Sequence, residues 1–167
     1  MIFYAKILII GLLYISTERV HMIQFHQDLF SSLYREALKG SCLFRKYAAA
    51  IVKNGTVYGI GHAQTANDTP CVVCNRMDKI LKYGKISEFF EDCPVVHAEV
   101  SAILNVNDRT NLKGSDLYLL GIAVKDGSIY EEAFPCPNCY HVIQYSGIQS
   151  INIFQSDMTV LRTEVSL

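Results

Sequence analysis

The chain has 167 residues, a length typical of one domain; half of them are apolar and 19% are charged. That balance supports a buried core and excludes a disordered or fibrous protein. Acidic and basic residues nearly cancel, leaving a net charge of −1, and no long basic run occurs. Strong sequence-independent binding to nucleic acid, which needs clustered Lys and Arg, is therefore not favoured.

The N-terminal stretch MIFYAKILIIGLLYIS is almost entirely apolar. It is too short to span a bilayer, and the following TERVHM lacks the small-x-small pattern of a signal-peptide cleavage site. Three interpretations stay open: an additional core strand, a signal or membrane-tethering segment, or an extension upstream of a start at Met22. We therefore treat residues 1–21 as an apolar extension of uncertain role, expect no stable membrane insertion, and assign 22–167 to a single domain.

The first elements after Met22 are predicted from apolar spacing. Residues 23–38 carry apolar side chains at i, i+4 spacing, including Leu29 and Leu33, which predicts an amphipathic helix. Two apolar runs then surround Asn54-Gly55, the strongest short signal for a β-hairpin. Because these runs are apolar on both faces, we expect helices on both sides of the sheet. The polar residues 63–76 are expected to form a loop that lines a site.

The rest of the chain is predicted as alternating helices and strands. In order, these are short helices at 77–83 and 87–90, a helix beginning near His97, a strand at 116–125, a helix at 135–147, and strands at 148–154 and 158–167. The close turn before the last strand favours an antiparallel pair, and the strands flanking the 135–147 helix should be parallel with a right-handed crossover. This order predicts a three-layer α/β/α sandwich with a mixed five-stranded sheet.

Four of the six cysteines form two Cys-x-x-Cys pairs. In an intracellular chain of this length such pairs indicate metal ligands rather than disulfides, and we expect a cytoplasmic protein unless the N-terminus acts as a signal or tether. Cys136 and Cys139 begin a predicted helix with Pro137 in its first position, so both sulfurs lie on one side near free N–H groups that favour thiolates. On its own, such a pair also fits a redox site or half of a structural zinc site.

His97 adds a third candidate ligand at the start of another helix. One His and two Cys leave a fourth position around Zn²⁺ for water, as in catalytic sites, whereas a fourth side chain usually closes structural sites. Zinc lowers the pKa of bound water to about 7. Glu99, two residues beyond His97, can take the proton of that water and pass it to a leaving group. Considered alone, Glu99 also fits a helix-start residue favoured by the dipole.

These residues lie in HAEVSAIL, LKGSDLYLL, PCPNC and SGIQSINIF, which together resemble the zinc-dependent nucleobase deaminases with the signature H-x-E…P-C-x-x-C. The resemblance covers residues 45–155 and is greatest to the deoxycytidylate and cytidine deaminase branch. It implies a cytidine deaminase-like fold, zinc held by His97, Cys136 and Cys139, and Glu99 as proton shuttle. It also implies attack of a zinc hydroxide on C4 of cytosine with loss of ammonia, converting dCMP to dUMP, or cytidine or deoxycytidine to uridine or deoxyuridine.

The substrate-binding residues depart from the pattern of that family. Ala63 stands where deoxycytidylate deaminases typically offer an Asn near the substrate. Three neighbouring side chains are candidates to replace it: His62, Gln64 and Asn67. Ala98, between the metal ligand and the proton shuttle, is a further expected substrate contact. We expect a small-molecule pyrimidine nucleotide or nucleoside as partner, and a homo-oligomer.

Two other functions use the same motifs. One is a nucleic-acid-editing or toxin-type deaminase that acts on unpaired bases, which should carry a basic groove with stacking aromatics. The chain has ten Tyr and eight Phe but no concentration of basic residues, so this alternative ranks second. The other is an inactive, zinc-stabilised binding module, against which the intact Glu99 argues.

The remaining cysteines raise the hypothesis of a second zinc. Cys71 and Cys74 form another Cys-x-x-Cys, and Cys93 lies four residues before His97. Some of the deoxycytidylate deaminases that this chain resembles carry an additional structural zinc in this region, and His62 would complete a Cys₃His set. The alternative is that these are ordinary reduced cysteines, which often behave as small buried apolar residues.

Overall fold

The structure, a computed structural model, describes residues 22–67, 69–84 and 92–166. The predicted short helix at 87–90 and the apolar extension at 1–21 lie outside these residues. The elements in chain order are α1 (22–38), β1 (Arg45–Lys53), β2 (Thr56–His62), β3 (Gln64–Thr65), α2 (Asn75–Tyr83), β4 (Val95–Val96), α3 (Ala98–Leu104), a 3₁₀ turn (Arg109–Asn111), β5 (Asp116–Ala123), α4 (Pro137–Tyr145), β6 (Ser150–Phe154) and β7 (Val160–Glu164).

The main sheet has five strands in the order β2-β1-β5-β6-β7. Strand β1 pairs antiparallel with both β2 and β5, whereas β5 and β6, which flank α4, are parallel. The last strand, β7, runs antiparallel to β6. The predicted mixed five-stranded sheet, the parallel pair and the antiparallel last strand are therefore confirmed.

The hairpin between β1 and β2 turns at Asn54-Gly55, where both residues have positive φ, 50° and 73°. That conformation matches the twist of the two strands. The pairing slips by one residue between Ile51 and Val52, because a bulge places one extra residue in β2. Beyond the bulge, Ala48 lies opposite His62, so these two side chains point to the same face of the sheet.

Both faces of the sheet are covered by helices, as the apolar runs predict. Along β1, Ala48 and Ala50 belong to the core beneath α1, whereas Ala49 and Ile51 belong to the core beneath α3 and α4. This alternation follows from the period of two in a strand. The result is the predicted three-layer α/β/α sandwich.

Helix α3 lies unusually close to β2. An added Cβ at Gly61 would come within 2.5 Å of Ser101 Oγ and 2.6 Å of the backbone nitrogen of Ala102. Only a residue without a side chain fits there. The glycine thus sets the depth at which the helix that follows His97 packs on the sheet.

The segment predicted as a loop contains a strand. Strand β3 pairs antiparallel with β4, so that Gln64 lies opposite Val96. The pairing in this two-stranded sheet holds the residues that follow β2 against Val96, the residue just before His97. Helix α2, which follows, buries none of its side chains. Among the described residues, no helix combines the length and hydropathy needed to cross a membrane.

Candidate active site

Three potential metal ligands meet at the starts of two helices. His97 precedes the first residue of α3, and Cys136 precedes Pro137, the first residue of α4. Cys139 is one turn further along α4 and is almost fully buried. The Nδ1 atom of His97 lies 3.5 Å from Cys136 Sγ and 3.3 Å from Cys139 Sγ. The three ligand atoms all lie within 4.8 Å of one another.

This geometry fits a tetrahedral zinc ion. With Zn–S near 2.3 Å and Zn–N near 2.1 Å, tetrahedral angles separate N from S by about 3.6 Å. The two observed distances from Nδ1 are close to that value. One imidazole and two thiols are also the donor types that zinc prefers. Since the cluster supplies three protein ligands, one coordination position is left for a water molecule.

Hydrogen bonds among the three ligands shift the pKa of each of them. A hydrogen bond with Cys136 raises the pKa of His97 to about 10, and a second hydrogen bond, with Cys93, acts in the same direction. A hydrogen bond with Cys139 lowers the pKa of Cys136 to about 4, while the same contact raises the pKa of Cys139. Since thiols and imidazole bind a metal ion in their deprotonated forms, metal binding would release protons from this cluster.

Glu99 is buried beside this cluster, in the first turn of α3, with 5% of its surface exposed. Burial raises the pKa of its carboxyl, and the charge of Cys136 adds to the shift, whereas the charge of His97 opposes it. A bound dication would also lower this pKa, so burial and metal act against each other. Such a balance suits a carboxyl that must both accept and release a proton.

Tyr47, in β1, lies on the face of the sheet that carries this site. The sequence did not single it out. Its ring lies over Gly121, where an added Cβ would come within 2.9 Å of the ring and 3.2 Å of the Ala133 methyl. Burial raises the pKa of the Tyr47 phenol; Arg45 lowers it by its charge and a hydrogen bond, and the charge of Glu99 raises it. Tyr47 thus contacts Arg45 and is near enough to Glu99 for that carboxyl to affect its pKa.

A family model matches this chain, and solved structures share its fold. The model describes the zinc-binding region of cytidine and deoxycytidylate deaminases and matches residues 23–155. This chain belongs to that family. It is accordingly a zinc-dependent hydrolytic deaminase with the cytidine deaminase-like fold.

The dCMP deaminase of cyanophage S-TIM5 in apo form is 18% identical, with a TM-score of 0.53, over 78% of this chain and 82% of that chain. The structure of that phage enzyme in complex with dCMP and dUMP is 19% identical, with a TM-score of 0.50, over 76% and 78%. At such identities the likeness shows the fold alone. A search of curated proteins finds no match.

His62 of this deaminase lies on the wrong face for the role predicted from the sequence. Because His62 is opposite Ala48, its side chain points toward α1, and Nδ1 donates to Glu36 Oε1 at 2.7 Å. Both side chains are largely shielded from solvent. The prediction of His62 as a substrate contact or zinc ligand is therefore corrected: its side chain forms a hydrogen bond with Glu36 of α1.

The proposed Cys₃His set is not assembled. In the described part of the chain, His97, Cys136 and Cys139 form the only group of three or more neighbouring His, Cys, Asp or Glu side chains that could hold a metal ion. Cys71 and Cys74 are partly exposed, and Cys93 instead contacts His97, a hydrogen bond that lowers the pKa of Cys93. Cys93 thus lies beside the first metal ligand. It also lies near Cys71: burial raises the pKa of Cys71, and the charges of Cys42, Cys93 and Cys74 add to that shift.

The other predicted substrate residues have different surroundings. Gln64 is half-buried in β3 and lies opposite Val96, the residue before His97. Asn67 is exposed in the turn after β3. Ala98 is fully buried, so only its backbone can reach a ligand, and Ala63 is buried opposite Tyr47, whose carbonyl accepts its N–H at 2.9 Å.

Proposed function

We propose that this deaminase converts the cytosine of a pyrimidine nucleotide to uracil, with dCMP as substrate and dUMP as product. Deoxycytidine and cytidine are the alternatives with the same chemistry. The observation that carries the proposal is the buried Glu99 beside the cluster of His97, Cys136 and Cys139. That arrangement combines a metal site open at one position with an adjacent proton carrier.

In this proposal His97, Cys136 and Cys139 hold the zinc. The ion, when bound, makes hydroxide available near neutral pH by lowering the pKa of a coordinated water. The thiols sit at the start of α4, where free N–H groups stabilise thiolates. The protein contributes a fixed set of three ligands on two helices, which leaves little reorganisation to be made on metal binding.

Glu99 moves the protons of the reaction. Hydrolysis adds one water to C4, breaks the C4–N4 bond and releases ammonia, so protons must pass from the water to the base and its departing amine. Glu99 takes one proton from the attacking water and gives it to the ring, and then takes the second proton from the new hydroxyl and gives it to the amino nitrogen, so that the C4–N4 bond breaks with ammonia as a neutral leaving group. Its burial excludes bulk water from this transfer.

The base is oriented by groups around the cluster. The N–H of Ala98 lies in the first turn of α3, where helix N–H groups have no partner within the helix, so it can donate to an acceptor on the ring. Gln64 faces the residue before His97 across the small sheet and can supply a second polar contact. Tyr47 provides an apolar wall against the ring.

The preference for dCMP has one further support. The cyanophage dCMP deaminase shares the fold over more than three quarters of both chains and was crystallised with dCMP and dUMP. Nothing in the composition favours a polymeric substrate, because the net charge is −1 and no basic run occurs.

The proposal is tested by incubating zinc-loaded protein separately with dCMP, deoxycytidine, cytidine and a single-stranded DNA that contains cytosine. Mass spectrometry follows cytosine-to-uracil conversion, and released ammonia is measured in parallel. We expect the highest kcat/KM with dCMP. Conversion of the oligonucleotide alone would replace this proposal with the editing alternative, and conversion of none would refute both.

A further inference from the structure

An apolar groove runs beside α1, above the edge strand β2. Its volume is about 260 Å³, and its lining residues are Phe25, Asp28, Leu29, Ser32, Val57 and Ile60. The four residues from α1 follow i, i+3, i+4, i+7 spacing and so lie on one side of the helix. Val57 and Ile60 pair with Val52 and Ala50, which belong to the core beneath α1, so all four point to the same face of the sheet.

The groove exists because α1 is narrower than the sheet that it covers. Five strands about 4.8 Å apart span about 19 Å, whereas a helix with its side chains is about 10 Å wide. In the described part of the chain, α1 is the only helix that packs on this face, and the buried sheet residues beneath it lie on β1, β5 and β6. Strand β2 is therefore left beside the helix, and its Val57 is 41% exposed.

The polar atoms that line the groove already have partners. The side chain of Gln24 donates to Asp28 Oδ1 at 3.0 Å, and the Ser32 hydroxyl donates to the carbonyl of Asp28 at 2.9 Å. At the edge of the sheet, the carbonyl of Ile60 accepts a hydrogen bond from Asn105 Nδ2 at 2.8 Å. An apolar occupant would therefore leave none of these groups unsatisfied, whereas an added strand would find this carbonyl already bonded.

The size of the groove suits protein side chains better than a small molecule. A cavity of about 150 Å³ holds one benzene ring, so the groove has room for about one or two large apolar side chains. Sites for small molecules usually enclose about 300–1,000 Å³ and direct several polar groups at the ligand. The occupant that fits this groove is thus a short apolar stretch of polypeptide.

The chain supplies such a stretch close by. Residues 7–15 read ILIIGLLYI, and eight of these nine residues are Ile, Leu or Tyr. The six residues 16–21 join them to Met22, which lies one helical turn before Phe25. Six extended residues reach about 20 Å, whereas the groove extends about 10 Å along α1 from Phe25 to Ser32. The link is therefore long enough for the chain to turn back along α1.

A tethered segment has an advantage over any free partner. A short link gives an effective concentration in the millimolar range, so a second copy of the chain at a lower concentration competes poorly for the same groove. A run of eight large apolar side chains is also seldom left exposed to water. Both arguments favour the chain's own apolar segment as the occupant.

We propose that residues 7–15 fold back beside α1 and fill the groove with apolar side chains that contact Phe25, Val57 and Ile60. The groove lies on the face of the sheet opposite the metal cluster, so this inference is independent of the proposed substrate. The core beneath α1 is formed by other residues, and the docked segment adds stability at its edge.

Photocrosslinking identifies the occupant in the full-length protein. Val57 is replaced by the photoreactive residue p-benzoylphenylalanine, and ¹⁵N-labelled and unlabelled protein are mixed before irradiation. We expect mass spectrometry to find cross-links to residues 7–15 in which both peptides carry the same isotope, as required for contact within one chain. The same probe at Leu161, on the opposite edge strand, should give no cross-link to residues 7–15.

Two other outcomes of this experiment overturn the proposal. Cross-links that join a labelled to an unlabelled peptide would assign the groove to a second copy of the chain. Cross-links from position 57 that never include residues 7–15 would show that another part of the molecule, or solvent, occupies the groove.

Thermal unfolding measures whether the contact stabilises the full-length protein. Val57→Asp places a charge in the groove, and Leu12→Asp/Leu13→Asp places two charges in the apolar segment. Each change should lower the melting temperature, but the combined variant should melt close to the lower of the two, because either change alone displaces the segment. Leu161→Asp, with a 46% exposed side chain, is the matched control and should add its effect to that of the segment variant. Additive effects of Val57→Asp and the segment variant would contradict docking.

A vesicle assay tests the remaining occupant, a lipid surface. Full-length protein is floated with vesicles of phosphatidylcholine and phosphatidylglycerol, beside the Leu12→Asp/Leu13→Asp variant. We expect neither protein to float, because the apolar segment is already buried in the groove. Flotation of the wild-type protein that is lost in the variant would show that the segment binds lipid instead, and would overturn the inference.

Discussion

His97 Nδ1 lies 3.3 Å from Cys139 Sγ, although 42 positions separate the two residues in the chain. The contact exists because α3 and α4 cover the same face of the sheet and present their first turns to each other. Cys139 is almost completely buried there, so a lost ligand cannot be replaced by an exposed side chain without repacking the core.

We expect one zinc per chain in the wild-type protein and well under one in Cys139→Ser. Serine is a poor ligand for zinc compared with a thiolate, and two remaining ligands hold the ion weakly. The measurement is zinc content by mass spectrometry of purified, dialysed protein. Cys42→Ser is the control, because Cys42 is partly buried but lies outside the metal cluster, and it should keep its zinc.

The same measurement decides the second-zinc hypothesis. Since His62 faces α1 and the described residues form no second group of ligand atoms within 4.8 Å of one another, the double variant Cys71→Ser/Cys74→Ser should retain the wild-type zinc content. Two zinc ions in the wild-type protein, falling to one in the double variant, would show that these cysteines form a metal site after all.

Glu99→Gln should separate metal binding from chemistry. The amide has nearly the same shape and stays buried, but it cannot accept and release a proton. We expect unchanged zinc content and a fall in kcat of at least about 10²–10⁴-fold. The measurement is single-turnover deamination of dCMP together with zinc analysis. Substantial residual activity in a zinc-loaded variant would contradict the proton-transfer role.

The cluster could be located from the sequence because metal chemistry constrains local spacing. Cys136, Pro137 and Cys139 specify a helix start, and His97 with Glu99 specifies another, so each half carries its own signal. The five-stranded sheet could also be predicted, since the Asn-Gly turn and the alternating elements determine it. What the sequence does not give directly is which side chains around the cluster share its face.

His62 shows why. A hairpin counted outward from Asn54-Gly55 without a bulge would pair His62 with Tyr47 and direct it to the catalytic face. The bulge near Ile51 shifts the register by one residue, so His62 pairs with Ala48 and faces α1, while Ala63 takes the position opposite Tyr47. The one extra residue in β2 thus reverses the face of the sheet on which the later side chains of that strand lie. No residue type at that point predicts the bulge.

Gly61→Ala should destabilise the protein through the close approach of α3. The added methyl would meet Ser101 Oγ and the backbone of Ala102 at 2.5 and 2.6 Å, and a helix backbone cannot yield locally. We expect a loss of about 1–3 kcal/mol in the free energy of unfolding, and a melting temperature lower by about 2–4 °C per kcal/mol. Thr56→Ala, exposed at the start of the same strand, is the control for a surface change and should have little effect.

His62→Ala should affect stability and leave catalysis intact, because His62 contacts α1 rather than the metal cluster. The loss of its hydrogen bond to Glu36 is expected to cost about 1 kcal/mol, with kcat/KM and zinc content unchanged. Thermal unfolding of His62→Ala, Glu36→Gln and the double variant forms a cycle that isolates the pair. A rise in KM for dCMP in His62→Ala would instead restore it as a substrate contact.

The contact between Glu36 and His62 also predicts that the stability of the protein depends on pH. Burial raises the pKa of Glu36, but hydrogen bonds and charges from Lys39 and His62 outweigh it and leave that pKa lowered. A carboxyl with a lowered pKa in the folded state stabilises the protein above its unfolded pKa, and that contribution disappears as the pH falls through the folded value. The difference in melting temperature between wild type and Glu36→Gln should therefore shrink below about pH 4.

A chain that begins at Met22 should fold and bind zinc without residues 1–21. Helix α1, described from residue 22, buries Leu29, Leu33 and Ala37 against the sheet, which completes the layer on that face for the described part of the chain. We expect a cooperative thermal transition and one zinc per chain, measured on the purified shortened protein beside the full-length one. Aggregation, or loss of the cooperative transition only in the shortened protein, would show that the apolar segment belongs to the core.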